Sequence, residues 1–275
     1  MAKQWTSVLL VMCLVGVLGF YSAVDQPLPL SRELSHRLGL QIWQNECAGK
    51  REGLTTWNKG EDFASLGIGH FIWYPENKKG VFKETFPDLL TFFRFHGVLL
   101  PPWLDQAKGC PWRTREEFQL ELEGDAQLEL RQLLADHVDL QIRFMVQRLN
   151  KALPTILKHA PSSQHPHLTF QFNRLARTSA GLYALLDYLN FKGEGTAYHE
   201  SYQGKGWGLQ QVLEQMQGVD HGHRAIEEFV EAAKKVLTLR VEHAPSERQE
   251  KHWLKGWHNR LETYRHFSLQ VNNGS

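Results

Sequence analysis

Cysteine is scarce in this chain of 275 residues: Cys13, Cys47 and Cys110 are its only three, with no C-x-x-C pair and no cysteine–histidine spacing of a zinc centre. A structural metal knot is thereby excluded, and "DHGH", with Asp220, His221 and His223, reads as a helix cap with surface histidines. Excess charge is missing too. Lys and Arg number 31 against 30 Asp and Glu, so the formal charge of +1 leaves no electrostatic footprint for nucleic acid. No G-x-S-x-G elbow and no phosphate-cradling glycine loop occurs, which removes serine-hydrolase and nucleotide chemistry. Nor is there an internal repeat or a low-complexity linker, so residues 25–275 read as one domain.

Aromatic residues, by contrast, are plentiful: fifteen Phe, nine Trp and seven Tyr, whose faces suit both a core and sugar rings. After Lys3 the chain runs about twenty residues without a charge, near the length that crosses a bilayer. Residues 1–24 are therefore expected to be a signal peptide or an uncleaved membrane anchor, and the rest to be exported, periplasmic or held at the outer face of the cytoplasmic membrane. Met12 before Cys13 is not the small residue a lipidation signal needs. In an oxidising compartment, Cys47 and Cys110 form a candidate disulfide, the other reading being two buried thiols.

Periodicity marks the rest as mainly α, with one β region. Leu34, Leu38 and Ile42 recur at four-residue spacing and Gly49 is a natural stop, which predicts an amphipathic helix. Between Leu54 and Tyr74, glycine-punctuated β-branched and aromatic residues bounded by Pro75 predict a small hairpin or three-stranded sheet. Thr114 and Glu117 form a capping box ahead of two or three helices broken near Gly124. Further helices are predicted over "SAGLYALLDYLNFK", "GWGLQQVLEQM", "HRAIEEFVEAAKKVL" and "SERQEKHWLKGWHNRLETYRHF", the last carrying Trp253 and Trp257 as packing residues.

Chemistry concentrates where the first helix meets the β region. Glu46 extends the Leu34–Leu38–Ile42 stripe by four residues, so its carboxylate points inward at the helix C-terminus. Burial and the negative end of the helix dipole are both expected to raise its pKa, as a general acid requires.

A helix ending in Glu, followed by a glycine-containing hairpin of the form [ST]-x-G-x-G-H, resembles the catalytic region of phage-type lysozymes in the lysozyme-like superfamily. Here the matching residues are Glu46 and "SLGIGH", residues 65–70. The resemblance implies a helical domain with a β-hairpin beside a glycan cleft, Glu46 as general acid, and Ser65 where the family has a threonine near the attacking water. The family's second acid falls nearest Asn58 or Lys59, neither of them acidic; Glu61 and Asp62 are the carboxylates available in that loop. If neither serves, a lytic transglycosylase, which needs one acid because the sugar's own hydroxyl attacks, is the alternative.

"LLDYLNFKGEG" resembles, more loosely, the AYN-x-G segment of goose-type lysozymes and lytic transglycosylases, where Tyr and Asn line the cleft opposite the acid; here Leu189 separates Tyr188 from Asn190. The expected substrate-binding set is Trp57, Asn58, Gly67, Gly69, Tyr188, Asn190, Glu194 and Trp207, the two glycines giving clearance on the face shared with Ser65. His70, on the opposite face, is expected to be a structural residue that pairs with a nearby acid. The function so implied is cleavage of β-1,4 bonds in peptidoglycan or a related amino-sugar polymer by a monomer that needs no cofactor, with a non-catalytic glycan-binding or scaffold protein as the alternative from another class.

Overall fold

Ser31 opens the first helix by accepting the Leu34 amide on its hydroxyl oxygen at 3.0 Å, which satisfies one of the donors that a helix N-terminus leaves open. In the computed structural model, which describes residues 30–267, this helix, α1 (Arg32–Cys47), stops where Ala48 and Gly49 turn left-handed, at φ 51° and 70°. Leu34, Leu38 and Ile42 are buried in sequence register, and Glu46 follows them inward. Strands β1 (Thr55–Thr56), β2 (Ala64–Leu66) and β3 (Phe71–Trp73) then form an antiparallel sheet in that order.

Helices make up most of the chain beyond this sheet: α2 (Phe86–Phe95), α3 (Pro102–Asp105), α4 (Arg115–Leu120), α5 (Asp125–Asp136), α6 (Val138–His159), α7 (His165–Ala176) and α8 (Ser179–Lys192). After a short hairpin, β4 (Ser201–Tyr202) and β5 (Lys205–Gly206), come α9 (Leu209–Gln215), α10 (His223–His243) and α11 (Lys251–His266). The fold is thus mainly α with small antiparallel sheets, as the periodicity indicates. Thr114 caps α4 as expected, while Glu117 reaches the amide of Arg113 instead of closing the box on Thr114. The β4–β5 hairpin was hidden in sequence because each strand has two residues; its turn is carried by the positive φ of Gln203 and Gly204.

Helix α8 lies at the centre, buried along nearly its whole circumference from Gly181 to Leu189, with α7, α10 and α11 packed around it. Against α1 lies α6, brought close by Gly39: a Cβ there would stand 2.3 Å from the Val138 side chain. The sheet is fastened to the same helix through Gln141, fully buried, whose Oε1 accepts the Ile68 amide at 2.9 Å and whose Nε2 donates to the Leu134 carbonyl at 2.7 Å. Gln141→Leu keeps the volume but strands both backbone groups, so it is expected to cost about 2–4 kcal/mol in equilibrium urea unfolding. A loss below about 1 kcal/mol would show that the sheet needs no such tether.

Two expectations are corrected at this level. "SLGIGHFIW" is not one strand: Gly67 to His70 form the turn between β2 and β3, with positive φ at Gly67 (70°) and His70 (46°). The clearance at its glycines is taken by the protein itself, since a Cβ on Gly67 would meet Gln141 Oε1 and one on Gly69 would meet the Phe71 ring. Cys47 and Cys110 are both free thiols. Cys47 donates to the Gly53 carbonyl at 3.1 Å and lies 3.8 Å from His70 at the turn end of β3, whereas the Cys110 amide bonds the Tyr74 carbonyl at the strand's other end. The two thiols thus lie toward opposite ends of β3, whose three residues span roughly 10 Å, and not side by side. The expected signal peptide or anchor, residues 1–24, lies outside the described residues; among those, no helix is long and apolar enough to cross a membrane.

Candidate functional site

Glu46 stands at the last turn of α1, its side chain about one-tenth exposed, where the β2–β3 turn, α8 and α11 meet. Its Oε1 accepts two bonds, one from Arg260 Nη2 on α11 and one from Asn190 Nδ2 on α8 at 3.2 Å. Its Oε2 faces His70 Nδ1 at 3.5 Å, and His70 is partly open to solvent. One carboxylate oxygen is therefore saturated by the protein, and the other faces His70, the one partly exposed residue of an otherwise buried turn.

Behind Glu46 the network continues into the core. Asp187, fully buried on α8, accepts Arg260 Nε at 2.8 Å on Oδ2 and Arg260 Nη2 at 2.9 Å on Oδ1. Tyr264 donates to Asp187 Oδ2 at 2.6 Å, and Asn45 donates to Oδ1 at 3.3 Å and to the Tyr183 hydroxyl at 2.5 Å. Two carboxylates thus share one guanidinium, which lies over the Phe191 ring at 4.2 Å. A second guanidinium, Arg240, is held bidentately by Glu250 at 2.7 Å and covers the Trp207 ring at 4.0 Å. Between the two sits Lys192, over Trp257 at 3.6 Å and Phe191 at 3.9 Å, its ammonium pKa driven well down by burial.

The electrostatics overturn one expectation. Burial does push the Glu46 carboxyl up, but Arg260, then His70 and the bonds from Arg260 and Asn190, outweigh it, so its pKa lies below the usual 4.5. Glu46 is an anion at rest. Next to it, burial and the Glu46 charge push the Cys47 thiol up to about 12, so it is no nucleophile at neutral pH.

Of the residues expected at the site, Glu46, Asn190 and the pairing residue His70 come together. Others do not reach it. Tyr188 is fully buried, donates to the Trp207 carbonyl at 2.8 Å and packs on Phe229, so it is core. Trp207 is buried beneath Arg240 and Tyr202 and offers no free face. Trp57 is buried edge-on to Phe118 with its indole N–H on the Glu61 carbonyl at 2.7 Å. Ser65 is buried in β2 opposite Thr56 and Ile72, and Gly67 and Gly69 are buried in the turn.

Glu61 receives Asn58 Nδ2 at 3.1 Å in an exposed loop, and with Asp62 it acts on Tyr74. That loop enters β2 at Ala64, whereas His70 follows the strand's other end. Glu194 acts on Arg148 of α6.

Arg260 and Asp187 were missed in the sequence. Asp187 carried a usable signal, since an acid inside the apolar run "GLYALLDYL" has to be met by a cation. Nothing local marks Arg260, 73 residues further on, as that cation. Compared with known proteins, the chain matches no family model, no curated protein and no solved structure.

Proposed function

We propose that this protein cleaves β-1,4 glycosidic bonds of peptidoglycan or a related amino-sugar polymer, with Glu46 as proton donor to the leaving oxygen. One observation carries it: a carboxyl at a helix end, immobilised on Oε1 by Arg260 and Asn190, with Oε2 turned toward His70, the partly exposed residue of the β2–β3 turn. A fixed carboxyl whose second oxygen faces a partly exposed histidine at 3.5 Å suits proton transfer to a sugar oxygen within hydrogen-bond reach. Because Glu46 rests as an anion, its working form takes its proton from solvent.

The second acid separates two versions of the chemistry. Asp187 is committed to Arg260, and Glu61 and Asp62 lie in the loop at the far end of β2. That placement favours transglycosylation, in which the substrate's own hydroxyl attacks, over activation of water by a second carboxylate.

The test is to incubate the chain with purified sacculi and analyse the products by mass spectrometry. Reducing ends are expected from hydrolysis and 1,6-anhydro ends from transglycosylation. Intact sacculi after prolonged incubation at mildly acidic pH would refute cleavage and leave glycan binding or scaffolding as the role.

A further inference from the structure

We propose that a groove between α2 and α6 binds acidic substituents, carboxylate or phosphate groups, that project from the glycan; this rests on the glycan-cleaving role above. The groove has a volume of about 460 Å³. Its walls include the rings of Phe92 and Phe144 and three cations, Lys83, Arg148 and Lys151, against one acid, Asp88.

Among the described residues none of these three cations enters an ion pair or donates a side-chain hydrogen bond, in contrast to Arg174, Arg240 and Arg260, which all hold carboxylates. Arg148 is the telling one. Burial pushes its pKa down, and Glu194 and Asp88 oppose this only from a distance. Half-buried in the groove wall without a carboxylate at contact, the Arg148 guanidinium keeps donors that a bound anion can take.

Position links the groove to Glu46 along both walls of the site. Phe144 packs edge-on against Phe71 at 5.5 Å, and Phe71 directly follows His70. Glu194, which acts on Arg148, lies four residues beyond Asn190. From Phe144 to Lys151, α6 presents about 10 Å of wall. Phe95, 84 % exposed at the rim, adds an apolar surface. Cations set among phenyl rings suit a substituent with carboxylates on an apolar body, such as a peptide stem, and repel a polycationic glycan such as a fully deacetylated one.

Binding by the full chain carrying Glu46→Gln, which spares the strands, tests this with three ligands: peptide-bearing peptidoglycan strands, the same strands stripped of peptide by an amidase, and stripped strands carrying a phosphodiester polymer. Peptide-bearing strands are expected to bind about tenfold more tightly than stripped ones, and Lys151→Glu or Arg148→Gln to erase most of that advantage. Lys151 is exposed, so its variant should fold normally, which circular dichroism checks. Tight binding confined to the phosphodiester strands, with the same loss in both variants, assigns the groove to phosphate. Equal affinity for all three ligands, or a preference that both variants retain, overturns the groove as an anion site while leaving the glycan role intact. No binding to any strand overturns both.

Discussion

Glu46→Gln is expected to lower the rate of glycan cleavage by about 10²–10⁴-fold, the range a positioned general acid contributes, without unfolding the protein. Glutamine keeps the shape, and its carbonyl oxygen can still accept from Arg260 and Asn190. Arg260 is not left uncompensated, because Asp187 retains both of its bonds to the guanidinium. What disappears is the exchangeable proton on Oε2. A variant that releases fragments from sacculi as fast as the parent would remove Glu46 from the chemistry.

The pH dependence has a definite sign. The folded-state pKa of Glu46 lies below 4.5, so its ion pair stabilises the fold in full above that value and loses its contribution as pH falls through the folded pKa. Glu46→Gln should therefore be less stable than the parent at neutral pH, with the gap closing in acid. Activity runs the other way. The protonated fraction of Glu46 grows as pH falls, and the rate should rise on the acid side of neutral until unfolding intervenes. Glu228, Glu250 and Glu262 hasten that limit, since against burial the Gly218 amide and then Arg174 hold the Glu228 carboxyl low, as Arg240 does for Glu250 and Lys234 for Glu262. A rate profile flat from about pH 4 to 8 would contradict the assignment.

Legibility in the sequence tracks the range of the interactions involved. Leu34, Leu38, Ile42 and Glu46 were placed on one inward face by a helical period acting within a single element, and the sheet near residues 54–74 by local strand and turn composition. Exposure of aromatics was not legible. Trp57, Tyr188 and Trp207 have the composition of a sugar-binding set, but Trp57 and Tyr188 are each spent on burial and a bond to a backbone carbonyl, and Trp207 is buried beneath Arg240. The pKa of Glu46 was misjudged for a related reason. Burial and the helix dipole can be inferred from α1 alone, but the dominant opposing charge, Arg260, arrives from α11.

Asp187→Asn should be the most damaging conservative change in the molecule, with an expected loss of about 3–5 kcal/mol, the usual cost of removing one partner from a buried ion pair. Each Asp187 oxygen accepts from Arg260, Oδ1 from Nη2 and Oδ2 from Nε, so an amide turned either way sets its NH₂ against a guanidinium N–H. Oδ2 also takes the Tyr264 hydroxyl and Oδ1 takes Asn45, so donors surround the intruding nitrogen on both sides. For a chain of this size the loss corresponds to a drop in Tm of roughly 10 °C, measurable by thermal melting.

The variant also tests how the site is tuned. With Asp187 neutral, the Arg260 charge falls to Glu46 alone, which should lower the Glu46 pKa further and move the acid limb of the rate profile to lower pH. If the damage runs through the Asp187–Arg260 contact, Asp187→Asn combined with Arg260→Met should lose less than the sum of the two single variants, since both break the same pair and only Glu46 is then left without its cation. Fully additive losses in that double variant would instead mean that Asp187 supports the fold through Tyr264 and Asn45, and that the Glu46–Arg260 pair stands without it.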